Sequence, residues 1–239
     1  MIPILHQEAD FLVVDKPSGL MTHPNKEGEE ALSVQLLTQF PELKGVGLDP
    51  LRPGIVHRLD KETSGVMVIA RTNAMYDNLR KQFDGSKVEK EYVALVYGLI
   101  QKDQGVIHTS LSRSNKGQFT TSDEGRDAIT EYTVTKRYKE FTLVQLHPKT
   151  GRTHQLRVHM KSMGHPILGD PLYRAKINVR IDFLRLFLHA ASIKFTDLSG
   201  TLRDFEAPLP ETLTSFLRKQ ESTRSSDLVP DRMIGQTSN

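Results

Sequence analysis

The stretch that most constrains this chain is His57-Arg58-Leu59-Asp60-Lys61-Glu62-Thr63-Ser64-Gly65, set between apolar Ile55-Val56 and apolar Val66-Met67-Val68-Ile69-Ala70. Apolar residues on either side of a charged, turn-rich run describe a connection between two buried strands. A strand scaffold holds such a connection rigidly, and with it Asp60, a carboxylate flanked by the cations Arg58 and Lys61. By residue type alone Asp60 has two readings, an aspartate that caps a turn beside Thr63 and Ser64 or a reactive carboxylate.

The rest of the chain leaves room for a real core around that loop. Its 239 residues, 37% hydrophobic and 26% charged, suit one large or two small domains of a soluble globular protein. Apolar runs such as Val66 to Ala70 fall far short of the roughly 18 residues that a membrane span needs. Met1 to Asp10 lacks the basic and apolar regions of a secretory signal. Cysteine is absent, which excludes disulfides, thiolate metal sites, iron–sulfur clusters and cysteine nucleophiles. A cytoplasmic location is the expectation consistent with these features.

A net charge of +3 and a pI near 9.0 are weak arguments for a polyanionic partner, and the distribution says more. Lys149, Arg152, Arg157 and Lys161 cluster around Gly151, so a folded chain can gather them with Arg58 and Lys61 beside one cleft. The bland alternative is a solvated face. The histidines offer no H-E-x-x-H pattern, and His154 and His159 fall on different faces of a presumed helix, so no metal site is expected. His57, His154, His165 and His189 read as hydrogen-bonding supports. Gly65, Gly151, Gly164 and Gly169 read as turn positions, since neither phosphate-loop pattern occurs.

Along the chain, Ile2–His6 and Asp10–Lys16 predict a hairpin, and Ala31–Phe40 a helix stopped by Pro41. Gly45–Pro53 reads as loop. Asn73–Phe83 predicts an amphipathic helix with Asn73 as N-cap and Met75, Leu79 and Phe83 on one stripe. Val88–Ile100 reads as a long strand, and Ala128–Tyr138 with Phe141–His147 as a second hairpin. Thr153–Met163 reads as a helix whose Leu156, Met160 and Met163 face a core. Strands that follow one another through hairpins predict an α+β class with a mixed, largely antiparallel sheet and flanking helices. Glu221–Asn239 has almost no apolar spacing, and residues 219–239 are expected to form a polar, disordered tail after a catalytic unit of residues 1–218.

The polar run also carries a resemblance. H-R-L-D-K-E-T-S-G before an apolar strand resembles the signature of the RluA-type RNA pseudouridine synthases, and further motifs follow in the family's order. Asp15-Lys16-Pro17-Ser18-Gly19-Leu20 with His23-Pro24 precedes it, and Lys90-Glu91-Tyr92-Val93-Ala94-Leu95-Val96-Tyr97-Gly98 comes after. Then come Gly151-Arg152-Thr153-His154-Gln155-Leu156-Arg157-Val158-His159, Gly164 to Tyr173, Phe187-Leu188-His189-Ala190 and Ala207-Pro208-Leu209-Pro210. The resemblance runs from about Ile4 to about Leu217. It implies the pseudouridine synthase fold, two sheet halves with a central catalytic cleft. Many relatives carry an added N-terminal RNA-binding module; the first motif here begins almost at Met1, so target choice is expected to lie in the catalytic unit or its partners.

The implied reaction breaks the C1′–N1 bond of a uridine, turns the base and rejoins it through C5. No cofactor is needed. Glycoside hydrolysis uses two carboxylates, one of them to activate water or attack the sugar, whereas an isomerisation can proceed with one. The resemblance assigns Asp60 to that role, Arg157 to holding it ionised and Tyr92 to a place beside the base. From the residues alone, Arg157 could be a solvated arginine opposite the Leu156 and Met160 stripe, and Tyr92 a core residue. Base flipping is implied, with Arg58 entering the gap and His57, Lys61, Lys90, Arg152, His154 and Leu188 in contact with RNA. His57 is also placed to brace the Asp60 loop. The expected partner is RNA, with ribosomal RNA ahead of transfer RNA, and the expected state a monomer away from membranes. Two other classes compete, a non-catalytic RNA-binding or assembly factor and a nucleoside hydrolase. The second needs another carboxylate near Asp60, and Glu62 reads as a solvent-facing turn residue.

Overall fold

The computed structural model describes residues 1–114, 118–174 and 183–226, with side chains through Glu221. The chain opens on a hairpin of β1 (Ile4–Gln7) and β2 (Phe11–Lys16), followed by helix α1 (Leu32–Gln39), strand β3 (Ser64–Ala70) and helix α2 (Asn73–Asp84). A run of strands follows: β4 (Glu89–Tyr97), β5 (Gln104–Arg113), β6 (Phe119–Thr121), β7 (Arg126–Arg137) and β8 (Phe141–Pro148). Helix α3 (Gln155–Ser162), strands β9 (Leu188–Thr196) and β10 (Leu202–Glu206), and helix α4 (Glu211–Ser226) complete it.

These strands form one 10-stranded sheet in the order β1-β2-β3-β9-β4-β8-β7-β5-β6, with β10 paired to β9. Among the described residues the strand pairings are antiparallel apart from β3 with β9, so the expected α+β, mixed and largely antiparallel class is what forms. The parallel seam is short, Ser64 opposite His189 and Gly65 opposite Ala190. Gly65 therefore sits inside a strand and not at the turn expected for it. At its φ of +121° a Cβ would stand 2.2 Å from the Ala190 carbonyl oxygen, so only glycine lets β3 close on β9.

Two large apolar cores pack against the sheet, and β9 contributes to both, Ile193 to one and Leu188 to the other. One packs Leu12, Val14, Met67 and Ile69 against Leu36 of α1 and Leu79 of α2. The other packs Leu95, Val144 and Leu146 against Met160 of α3 and Phe216 of α4. Tyr92 touches both. Strand β3 is buried at every position, as its unbroken apolar run requires.

Local chemistry moved several boundaries. Ile55 makes only a single bridge to Ile69, so the polar run is entered from a bridge and not from a full strand. Thr72, not Asn73, caps α2 by accepting the Met75 N–H at 3.2 Å, while Asn73 accepts the Gly47 N–H. Strand β5 had no apolar alternation to betray it, because Ile107 and Leu111 turn inward while Val106 is exposed. Helix α4 continues through the expected boundary at 218 to Ser226, tied to β7 by an ion pair of Glu221 with Lys136. The remainder of the expected tail, 227–239, lies outside the described residues.

Candidate active site

The Asp60 loop hangs from the segment between β2 and α1. Lys16, fully buried, donates to the carbonyls of Pro17 at 2.8 Å, Leu20 at 2.7 Å and Lys61 at 3.2 Å. Ser18 donates to the Glu62 carbonyl, and Gly19 N–H to the Lys61 carbonyl. Thr22 donates to the Leu59 carbonyl at 2.8 Å and accepts the Leu59 N–H at 3.2 Å. Backbone oxygens that a tight loop leaves unpaired thus find donors. Burial pushes the Lys16 ammonium down to about 8 against the pull of Asp60.

Across the cleft, Gln155 pins the start of α3. Its amide donates to the Ile129 carbonyl and the Thr130 hydroxyl, and its oxygen accepts from Thr150 and the Arg152 N–H. His154, just ahead, adopts left-handed backbone at φ 57° and ψ 16°, which costs a non-glycine residue about 1 to 3 kcal/mol. Residues Gln155 to Met160 are all buried, so Arg157 does not face solvent opposite the apolar stripe as its helical position suggested.

Arg157 instead joins two carboxylates. Its Nε and Nη2 each donate to Asp170 at 2.8 Å, and its Nη1 reaches Asp60 Oδ2 at 3.2 Å. Burial opposes its charge, but the Asp170 and Asp60 carboxylates outweigh burial and raise its pKa. Asp170 is wholly buried and also accepts the Leu172 and Tyr173 N–H groups. Burial works against that carboxylate too, yet Arg157 and the backbone donors hold its pKa down.

Between these walls opens a cavity of about 450 Å³, in the range that takes a small ligand or a nucleotide. Asp60, Tyr92 and Arg157 line it, with Arg58, His57, Lys90, Arg152, His154 and Leu188. Asp60 keeps 18% of its side chain exposed toward that space. Lys61 is outside: its side chain is exposed, it does not line the cavity, and its carbonyl serves the loop. Burial, then Asp60, push the Tyr92 hydroxyl pKa up, so it enters any reaction as a neutral hydroxyl. His57 accepts the Val68 N–H at 3.1 Å and stacks on Phe83. Burial and neighbouring Lys90 push it down to about 3, which makes it a neutral brace for the loop. Burial also lowers Lys90. Arg58 is exposed and donates to His23 at 3.4 Å. Arg152 donates to the Asp127 carbonyl at 3.0 Å. Leu188 forms a buried wall at the start of β9.

Sequence reasoning missed Asp170, Tyr173, Phe83 and Lys16 as parts of the site. The signal for Asp170 was the turn chemistry of Gly169-Asp170-Pro171, but nothing local points it at Arg157. The structure also revises the count of carboxylates near Asp60. Asp170 stands behind Arg157, though its partners saturate it, and Asp84 lines the cavity while 77% exposed and paired with Arg80. Neither has the partly desolvated, unsaturated setting of a general acid. His154 and His159 go separate ways, to Tyr173 and to Thr130.

Asp60, held by the buried Arg157, thus shares one cavity with Tyr92 between two halves of a mixed sheet. The family model described as RNA pseudouridylate synthase matches residues 10–162. The chain belongs to this family, as an RluA-type RNA pseudouridine synthase. It is 38% identical over 220 residues to an uncharacterized RNA pseudouridine synthase of Bacillus subtilis, a match covering 90% of this chain and 72% of the relative. It is 33% identical over 238 residues to a protein of Borreliella burgdorferi named ribosomal large subunit pseudouridine synthase D, covering 98% of this chain and 73% of the relative. Among solved structures, Human RNA Pseudouridylate Synthase Domain Containing 1 aligns with a TM-score of 0.75 and 26% identity, over 98% of this chain and 97% of that one.

Proposed function

We propose that this chain isomerises uridines of structured large-subunit ribosomal RNA to pseudouridine, with Asp60 as the reactive carboxylate. The observation that carries the mechanism is Asp60 held by Arg157 at 3.2 Å in a cavity that Tyr92 also lines. The name of the Borreliella relative favours the ribosomal target.

A flipped uridine in this cavity presents its ribose to Asp60 and its base to Tyr92. Arg157, held on its far side by Asp170, sets a positive charge 3.2 Å from Asp60 and is not free to leave. The C1′–N1 bond breaks, the C1′–C5 bond forms, and one proton leaves C5 while one joins N1, so atoms and electrons balance within the substrate. The neutral Tyr92 hydroxyl can receive a proton as it releases one, and its ring holds the detached base by stacking. Arg58, at the exposed lip, can fill the space that the uridine vacates.

Unmodified ribosomal and transfer RNA transcripts, incubated with the wild type and with Asp60→Asn and then mapped for pseudouridine at nucleotide resolution, test this. Asp60→Asn is expected to lower turnover by about 10³-fold or more with RNA affinity nearly intact. Modification of transfer RNA alone would move the target. Equal activity of both proteins would overturn the role of Asp60, and release of free uracil would identify a hydrolase.

A further inference from the structure

His154 stands where three parts of the site meet. Its Nδ1 lies 2.9 Å from the Tyr173 hydroxyl and its Nε2 3.8 Å from Asp60 Oδ2. Tyr173 decides which nitrogen carries the proton. Its buried oxygen already accepts the Phe119 N–H at 3.1 Å, so its own proton is satisfied by donation to Nδ1, and the imidazole proton rests on Nε2. That N–H faces Asp60. Arg157 Nη1 approaches the same Oδ2, and among the described residues no hydrogen bond reaches Asp60 Oδ1.

We propose that His154 is a positioning residue for the isomerisation: its Nε2–H, locked by Tyr173, shares Asp60 Oδ2 with Arg157 and so presents Oδ1 to the ribose. This inference rests on the reading of Asp60 as the reactive carboxylate. Two further observations agree. The backbone of His154 is held left-handed, a conformation that clusters where a side chain must be aimed. Burial, against the pull of Asp60, holds the ring below its ordinary pKa, so the donor is the neutral ring near pH 7. At 3.8 Å the pair is beyond hydrogen-bond length in the free protein, so sharing Oδ2 requires it to shorten when substrate binds, as catalytic hydrogen bonds often do.

The charged and titratable groups around the pair come from every wall. They are Arg58 and Lys16 on the loop side, Arg157, Asp170 and Tyr173 on the opposite side, and Tyr92 from β4. All remain when His154 alone is changed, so a shift in the pH profile reports on His154.

Kinetics of the full chain on the RNA that the wild type modifies provide the test. His154→Asn tolerates left-handed backbone but is too short to reach Asp60, whereas His154→Gln extends an amide N–H to the same place. His154→Asn is expected to lower kcat about tenfold with KM within about twofold. It also moves the acid limb of the kcat profile to higher pH, because one N–H that favours the ionised carboxylate is gone. His154→Gln restores kcat to within about threefold and returns the limb. Tyr173→Phe removes the lock and moves the limb the same way with His154 in place. Equal kcat for the Asn and Gln variants with an unmoved limb, or a loss confined to KM, overturns the proposal. Should His154→Asn fail to fold, an unmoved limb in Tyr173→Phe overturns it equally. A wild type that modifies no RNA defeats the function reading and this inference with it; a wild type active against an inert Asp60→Asn isolates the His154 outcome.

Discussion

The loop that carries Asp60 is tied down by hydroxyls and one lysine that meet backbone groups, whereas Arg157 across the cleft is held by two carboxylates. On the first side Lys16, Ser18 and Thr22 satisfy the carbonyls of Leu59, Lys61 and Glu62. These bonds fix the path of the chain and leave the Asp60 side chain free to face the cavity. On the second side the guanidinium is fixed by Asp170 at two nitrogens and lends Asp60 only the third. A loop held through its backbone can lose one donor and keep its course. A buried charge that loses its partner has nowhere to put the deficit.

Asp170→Ala breaks the charged side and carries the largest expected effect. Arg157, 3% exposed, would keep its charge without its main partner, a loss of about 3 to 5 kcal/mol in chemical unfolding. Turnover should fall with it, since Asp60 must then share a poorly held guanidinium. A change under about 1 kcal/mol would show that water reaches Arg157 and that this wall is not dry.

Thr22→Val breaks the backbone-held side. The shape is kept, but the Leu59 N–H and carbonyl both lose their hydroxyl partner, so the same titration should show a loss of about 1 to 3 kcal/mol. A larger loss than that of Asp170→Ala would reverse the comparison.

A pH series sharpens it. His159, on the Arg157 helix, is fully buried with Nε2 unpartnered among the described residues. Burial, then His108, push it from 6.5 down to about 4. The unfolded chain takes up that proton first, so its contribution is complete above pH 6.5 and is lost as pH falls toward about 4. His159→Gln should flatten the decline of the thermal midpoint across that window. An unchanged slope would assign the decline to the other histidines whose pKa burial lowers, His23, His57, His154 and His189.

Arg152→Ala should move stability least, within about 0.5 kcal/mol, because its side chain is exposed and donates only to the Asp127 carbonyl. RNA binding should weaken, with the slope of log affinity against log salt falling by about 0.7 to 0.9 if one phosphate contact is lost. An unaltered salt slope would remove Arg152 from the RNA surface.

Parts of this site were legible because their chemistry is local in the chain. The Asp60 loop announces itself as a charged run against an unbroken apolar strand, and the strands and hairpins around it follow from periodicity. Arg157 and Tyr92 were legible only through the family's ordered motifs, since spacing alone left a solvated arginine and a core tyrosine open. The helical stripe misjudged Arg157 because α3 is covered on both faces, and periodicity assumes one wet side. Lys61 adjoins Asp60 in sequence but does not line the cavity, a placement that only the folded loop decides.

The amino-acid sequence by itself determined the mixed sheet, the loop that presents one carboxylate, and the absence of any thiol chemistry. Each is written in residue types and spacings that act within a few positions. Only the tertiary structure decided that Asp170 holds Arg157, that the Tyr173 hydroxyl meets His154, and that Arg157 and His154 both approach one oxygen of Asp60. The contacts to Asp60 join residues from opposite walls of the cleft, and their strength comes from burial, which no stretch of chain possesses until the whole sheet has closed around it.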